Sequence, residues 1–172
     1  MQLQIEQLEN LRVLNFYVSF YLTESAILLK PNASENPDFV NNIFNTCGGE
    51  YCLITPEVFA FKYSEGANVE SVRLLIMAEL EDFFAERNNL KNLKNSAPVY
   101  DLAQAVADSF IRPTLNRDKG DVELLEIDNG ILTLKFTGHC AGCPFAQNTL
   151  NNVIAKTFSR YVPQIKEIRM EE

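Results

Sequence analysis

Cys140 and Cys143 stand in the run Thr137-Gly138-His139-Cys140-Ala141-Gly142-Cys143-Pro144, where a strand-like segment gives way to a helix-like one. Two thiols in Cys-x-x-Cys spacing bind soft metals or exchange disulfides. Placed at a helix start, they are expected to ionise more easily than a free thiol, because the helix dipole and its unpaired N–H groups favour the thiolate. Alone they cannot complete the coordination of zinc or of an iron–sulfur cluster, each of which usually takes four protein ligands. A second chain could supply the other two. Gly138 and Gly142 fit such a site, since the absence of a β-carbon lets the loop turn sharply and brings backbone N–H groups close to bound sulfides. Pro144 is expected to open the following helix.

The other cysteines form an unlike pair. Cys52 falls in the apolar strand candidate Tyr51 to Ile54 and Cys47 precedes Gly48-Gly49, so both read as structural. The lone His139 cannot belong to a multi-histidine site. Adjacent residues rarely aim side chains at each other, so a Cys–His catalytic pair is disfavoured and a solvated or outer supporting role is expected for His139.

Three chemistries compete for the pair. Dithiol exchange is compatible with the spacing, but a hairpin precedes the motif where a thioredoxin-like unit would carry a strand and helix. Zinc within one chain would need a second pair close by. The third option is a metal centre shared between two copies, exposed on at least one side and therefore suited to transfer. The bland alternative is a Gly/Pro-rich turn with incidental cysteines.

The elements that must position this loop are legible in the second half. Leu102, Val106 and Phe110 mark one stripe of a helix that Pro113 is expected to end. Strand Val122 to Ile127 leads to Asp128-Asn129-Gly130, a tight-hairpin signal, and the returning strand Ile131 to Thr137 alternates Leu132, Leu134 and Phe136 with Thr133, Lys135 and Thr137. After the cysteines, a helix presents Leu150, Val153, Ile154, Phe158 and Tyr161, Pro163 stops it, and Gln164 to Met170 makes a last strand. The order is helix, strand, strand, cysteine loop, helix, strand.

The first half reads as a second α+β unit, with strands at Leu11 to Leu22 and Ala26 to Leu29, a helix at Pro37 to Phe44, and a hairpin of Tyr51 to Ile54 and Val58 to Tyr63. A helix follows, capped by Asn68, with Val72, Leu75, Ile76, Leu80, Phe83 and Phe84 on its buried face. The expected organisation is therefore a domain over 1–90, a polar linker over 91–98 and a domain over 99–172.

Composition narrows the partners. With 172 residues, 47% of them hydrophobic and 22% charged, the chain has a globular balance. A net charge of −8 and pI near 4.7 disfavour nucleic acid and anionic membrane as partners. Residues 1–98 carry thirteen Asp/Glu against seven Lys/Arg, and 99–172 carry ten against eight, so most of the acidity lies in the first half. No apolar run has the length of a membrane span. Met1-Gln2-Leu3-Gln4-Ile5-Glu6 lacks a basic signal-peptide start and an Arg-rich transit-peptide look. A cytoplasmic protein is expected, with a processed mitochondrial form as the second option.

The residues Arg112-Pro113, Gly120-Asp121-Val122-Glu123, Gly138-x-Cys140-x-Gly142-Cys143-Pro144 and Thr149-Leu150 resemble the NifU C-terminal (Nfu) domain over about 99–172. Asp38 to Phe44, Tyr51 to Phe59 and Asp82-Phe83-Phe84 are similar to the N-terminal domain of Nfu-type scaffold proteins. The resemblance implies a helix-strand-strand-helix-strand domain with a mixed three-stranded sheet packed on helices. It implies no enzyme but a scaffold or carrier. That carrier would hold a 4Fe–4S cluster, with 2Fe–2S as the second option, between two subunits through Cys140 and Cys143 of each. Its partners would be a second copy when loaded, apo-proteins that receive the cluster, and the assembly machinery. Lys119 stands where the family favours glycine, His139 replaces a small residue, and Phe145-Ala146 replaces a pair of serines. His139 could then donate to a sulfide and Phe145 could shield one cluster face. The rival readings from other classes are a dithiol–disulfide oxidoreductase and a zinc-bridged interaction domain.

Overall fold

A computed structural model describes residues 2–171. The chain divides into two compact units, Met1–Ala97 and Pro98–Glu172.

In the first unit, strand β1 (Leu3–Leu8) turns through Glu9–Leu11 into β2 (Val13–Val18), with Arg12 in the left-handed region at φ 55°. Then come β3 (Ile27–Leu29), α1 (Asp38–Cys47), β4 (Tyr51–Ile54), β5 (Val58–Lys62) and α2 (Val69–Ala85). The strands make an antiparallel sheet in the order β1-β2-β5-β4-β3. The apolar run from Leu11 to Leu22 is thus strand only at its centre. β1, absent from the sequence expectation, is the sheet's edge, where one-sided pairing needs no strong alternation. Asn68 caps α2, its Oδ1 accepting from Ser71 N–H at 2.9 Å. One face of the sheet, with Leu14, Phe16, Ile54, Phe59 and Phe61, shares a core with Val40, Ile43 and Phe44 of α1 and Val72, Ile76 and Leu80 of α2. Phe39 meets Phe83 with ring centroids 4.4 Å apart.

The polar stretch expected as a linker is fastened to this unit. Just ahead of it Leu90 is buried in the core, and within it Leu93 packs against that core and Asn95 Oδ1 accepts from Leu28 N–H at 2.9 Å. Isolated leucines between asparagines and lysines gave no periodic signal, yet each fills a place.

The second unit runs α3 (Val99–Val106), a wider π-type turn (Ala107–Ile111), α4 (Arg112–Arg117), β6 (Gly120–Asp128), β7 (Ile131–Gly138), α5 (Ala146–Thr149), a second π-type turn (Leu150–Ile154), α6 (Ala155–Tyr161) and β8 (Glu167–Met170). β6 and β7 are an antiparallel hairpin around Asn129 and Gly130, at φ 48° and 80°. β8 lies parallel to β7, which makes the sheet mixed and requires the crossover that α5 and α6 provide. Leu124, Leu134, Phe136, Val106, Ile154 and Phe158 are among the buried side chains, and Phe110 stacks on Tyr161 at 4.6 Å.

Pro113 does not end its helix. The preceding turn widens so that Arg112 N–H donates to the carbonyl of Ala107, five residues back, and the helix resumes with Pro113 near its new start, where a missing N–H matters little. Among the described residues no helix is long and apolar enough to cross a membrane.

Candidate metal-binding turn

The site lies where the ends of β6 and β7 meet. Gly120 pairs with Gly138 across the ladder, and Lys119, just ahead of β6, accepts a hydrogen bond from His139 N–H at 3.1 Å through its carbonyl. Gly138 is left-handed at φ 61°, and a β-carbon there would stand 2.6 Å from the Lys119 carbonyl oxygen. A β-carbon on Gly120 would meet Cys140 Sγ at 2.0 Å. The Cys140 thiol therefore rests on bare backbone, in space that only glycine leaves open.

From there the chain makes successive turns. Ala141 N–H donates to Gly138, Cys143 N–H to Cys140 at 3.3 Å, and Ala146 N–H to Cys143 at 3.0 Å. Gly142, at φ 68°, is the third residue of the turn from Cys140 to Cys143, the position that needs a positive φ in a type II turn. Both cysteines are free and half-buried. His139 is exposed, and Phe145 is 67% exposed at the residue before α5. The predicted residues Gly138, His139, Cys140, Gly142, Cys143 and Phe145 are thus one continuous loop.

Two expectations are corrected. Pro144 does not open the helix: α5 begins at Ala146 with Phe145 as its cap. Cys140 is consequently too far from the helix for its dipole to act, since that field fades within a turn. Its thiol is pushed up rather than down, first by burial and then by Cys143, Asp118 and Asp121. Cys52, fully buried on β4, is raised well above the ordinary thiol value by burial. Cys47 donates to the Ile43 carbonyl at 3.0 Å and is raised by burial too.

Residues the sequence reading left out of the site are Gly120, Asp118, Asp121 and Met170. Gly120 and Asp121 stand in the Gly120-Asp121-Val122-Glu123 motif, and glycine in a strand is itself the signal of a close approach. Met170 belongs to a hollow of about 360 Å³ that Cys140 itself helps to line, with Lys135, Phe136, Ala141, Gly142, Ala146 and Glu171, and whose exposed lining surface is mostly nonpolar. Nothing in the sequence joins β8 to this loop; only the parallel pairing does.

The profile of the NifU-like domain matches residues 104–169, the span that holds the hairpin, the cysteine turn and the crossover. The second unit is a NifU-like domain. Proteins named NFU1 iron-sulfur cluster scaffold homolog, mitochondrial, are similar to the chain: that of Drosophila ananassae is 32% identical over 133 residues, covering 70% of this chain and 40% of its own length. That of Drosophila willistoni is 31% identical over 129 residues, 69% of this chain and 38% of its own. The chain spans less than half the length of these curated relatives. The solution structure of a NifU-like protein from Saccharomyces cerevisiae is 18% identical, over 54% of this chain and 86% of that one, with a TM-score of 0.47.

Within this NifU-like domain Lys119 stands left-handed at φ 57° with its side chain exposed. That conformation costs an L-residue about 1 kcal/mol and costs glycine almost nothing. Lys119→Gly is expected to stabilise the unit by roughly 0.5–1 kcal/mol. The check is a higher urea midpoint at unchanged slope.

Proposed function

We propose that the chain carries an iron–sulfur cluster, 4Fe–4S in preference to 2Fe–2S, held between two copies through Cys140 and Cys143 of each, and delivers it to apo-proteins. The observation that carries this reading is the shape of the turn: two free thiols on a surface loop, with two per chain where a cluster takes four. The names of the relatives support the cargo. Release is ligand exchange, in which a thiolate of the receiving protein replaces Cys140 or Cys143 on iron, so no general acid or base is required and the chain is not an enzyme in this reading. Burial, then Cys143, Asp118 and Asp121, push the Cys140 thiol up.

Gly138 and Gly142 would let backbone N–H groups face the sulfides, and His139 and Phe145 would flank the cluster. The acidic first unit, similar to the Nfu N-terminal domain in our reading, would dock receiving proteins or the machinery that supplies iron and sulfide. We place the carrier in a reducing compartment, the cytoplasm first, because free thiols persist there; the relatives carry the word mitochondrial in their names.

Anaerobic reconstitution with iron and sulfide tests this. A brown dimer with one cluster per two chains is expected, lost in Cys140→Ser and Cys143→Ser. A colourless monomer whose Cys140–Cys143 disulfide cycles would overturn the reading, and so would zinc that survives air.

A further inference from the structure

Among the described residues four large apolar side chains are exposed, Tyr21, Leu74, Phe145 and Met170, and the last two flank the cysteine turn. Phe145 is a knob, 67% exposed and two residues beyond Cys143. The nonpolar hollow of about 360 Å³ is a hole on the Cys140 side, floored by Phe136 of β7 and Ala146 of α5, with Met170 of β8 forming a wall. We infer that Phe145 of one copy seats in the Phe136–Ala146–Met170 hollow of a second copy, so that the protein–protein contact, and not the metal alone, joins the two chains.

The inference rests on the two-chain reading of the cysteine pair, and it names what the chains use to grip each other. The occupant is a second copy for three reasons. Four ligands around one cluster bring two turns face to face, so whatever stands beside the sulfurs of one chain meets what stands beside those of the other. A two-fold arrangement is self-complementary, so a knob near Cys143 and a hole near Cys140 are used twice in one interface. The half that carries the turn is also nearly balanced in charge, with ten Asp/Glu against eight Lys/Arg over 99–172, so little like-charge repulsion opposes the contact there. At about 360 Å³ and with a mostly nonpolar lining the hollow has room and chemistry for a benzyl group, and its two charged lining residues, Lys135 and Glu171, can turn their charged ends to the rim. A cluster shared this way is shielded by aromatic groups on two sides and loses its iron to competing thiols more slowly.

The test compares wild type with Phe145→Ser and Phe145→Leu after anaerobic loading, by sedimentation velocity and by the rate of cluster loss to a chelator. Phe145 is exposed, so neither variant threatens the fold. Seating two rings withdraws enough apolar surface that Phe145→Ser is expected to weaken the loaded dimer roughly 100-fold, with at least about tenfold faster cluster loss. Phe145→Leu is expected to recover most of both. Ala146→Phe, which fills the hollow from within, is expected to behave as Phe145→Ser. A Phe145→Ser protein that keeps the wild-type dimer and release rate overturns the inference while leaving the cysteine reading intact, and so does a Phe145→Leu protein that recovers nothing. Slower delivery to a receiving protein with an unchanged dimer also overturns it, and would assign the hollow to that partner. A wild type that takes up no cluster, or holds one as a monomer, overturns both readings together.

Discussion

Replacing Gly120 with alanine is expected to reduce the iron retained after anaerobic loading to about the level of Cys140→Ser, in a protein that still folds. The added methyl would lie 2.0 Å from Cys140 Sγ and 3.0 Å from its β-carbon. The first is far inside any real contact and the second is tight, so the thiol must swing away or the β6–β7 ladder must part. Gly120 is buried and its φ is not in the left-handed region, so alanine is tolerated by the backbone itself and the conflict falls on the thiol. The stability loss should be about 1–3 kcal/mol, as for other overpacked sites. Iron content, visible absorbance and a urea melt of the same sample check it. Iron equal to wild type would show that Cys140 is held elsewhere than against this glycine. The double variant Gly120→Ala with Cys140→Ala should regain part of the lost stability, because the larger of the clashing atoms is gone.

The second large effect is expected at Arg112, whose side chain is 14% exposed. Its guanidinium pairs with Asp108, donates to Gln104 Oε1 at 3.0 Å and to the Val122 carbonyl at 3.2 Å, and places Nε 3.5 Å from Asp121. One side chain thereby ties the helical layer to the strand that carries Gly120. Asp108 is 5% exposed, so Arg112→Ala removes the cation that answers a buried carboxylate. Breaking such a pair costs about 3–5 kcal/mol, much more than the pair contributes net. For a unit of this size the melting temperature should fall by roughly 12–40 °C. Asp108→Asn combined with Arg112→Met should be milder than Arg112→Ala alone, because no charge is left uncompensated. A loss below about 1 kcal/mol in Arg112→Ala would mean that solvent reaches Asp108 freely.

The second unit was readable because its signals agree with one another. Alternation in Ile131 to Thr137, Asn129-Gly130 at the turn and the 3.6-residue stripe from Leu150 to Tyr161 all specify the same hairpin and crossover. The cysteine loop was readable because its glycines sit where φ must be positive. Other features are set by contacts that a one-dimensional pattern does not carry. β1 pairs on one side only and buries little. Leu90 and Leu93 are single anchors with no period. Pro113 reads as a stop because a helix is assumed to keep its width. The acidity of Cys140 is not legible in the sequence because two residues separate Cys143 from the helix, and because Asp118 at the end of α4 and Asp121 on β6 act on it from a distant part of the chain. Phe145 and Met170 lie 25 positions apart in the chain, and only the parallel strand brings Met170 to the cysteine loop.

The π-type turn at Ala107–Ile111 is a helix with one residue too many. Each residue advances a helix by about 100°, so the extra one rotates everything after it by that angle relative to what precedes it. Before the turn Leu102 and Val106 are buried; after it Leu115 is buried while Arg112 reaches Asp108 and β6. A helix of constant phase could not serve both assignments. In mutational terms the segment is a single deletion away from a regular helix, and that deletion would swing Arg112 off Asp121 and the Val122 carbonyl of β6 without touching any residue of the cysteine turn.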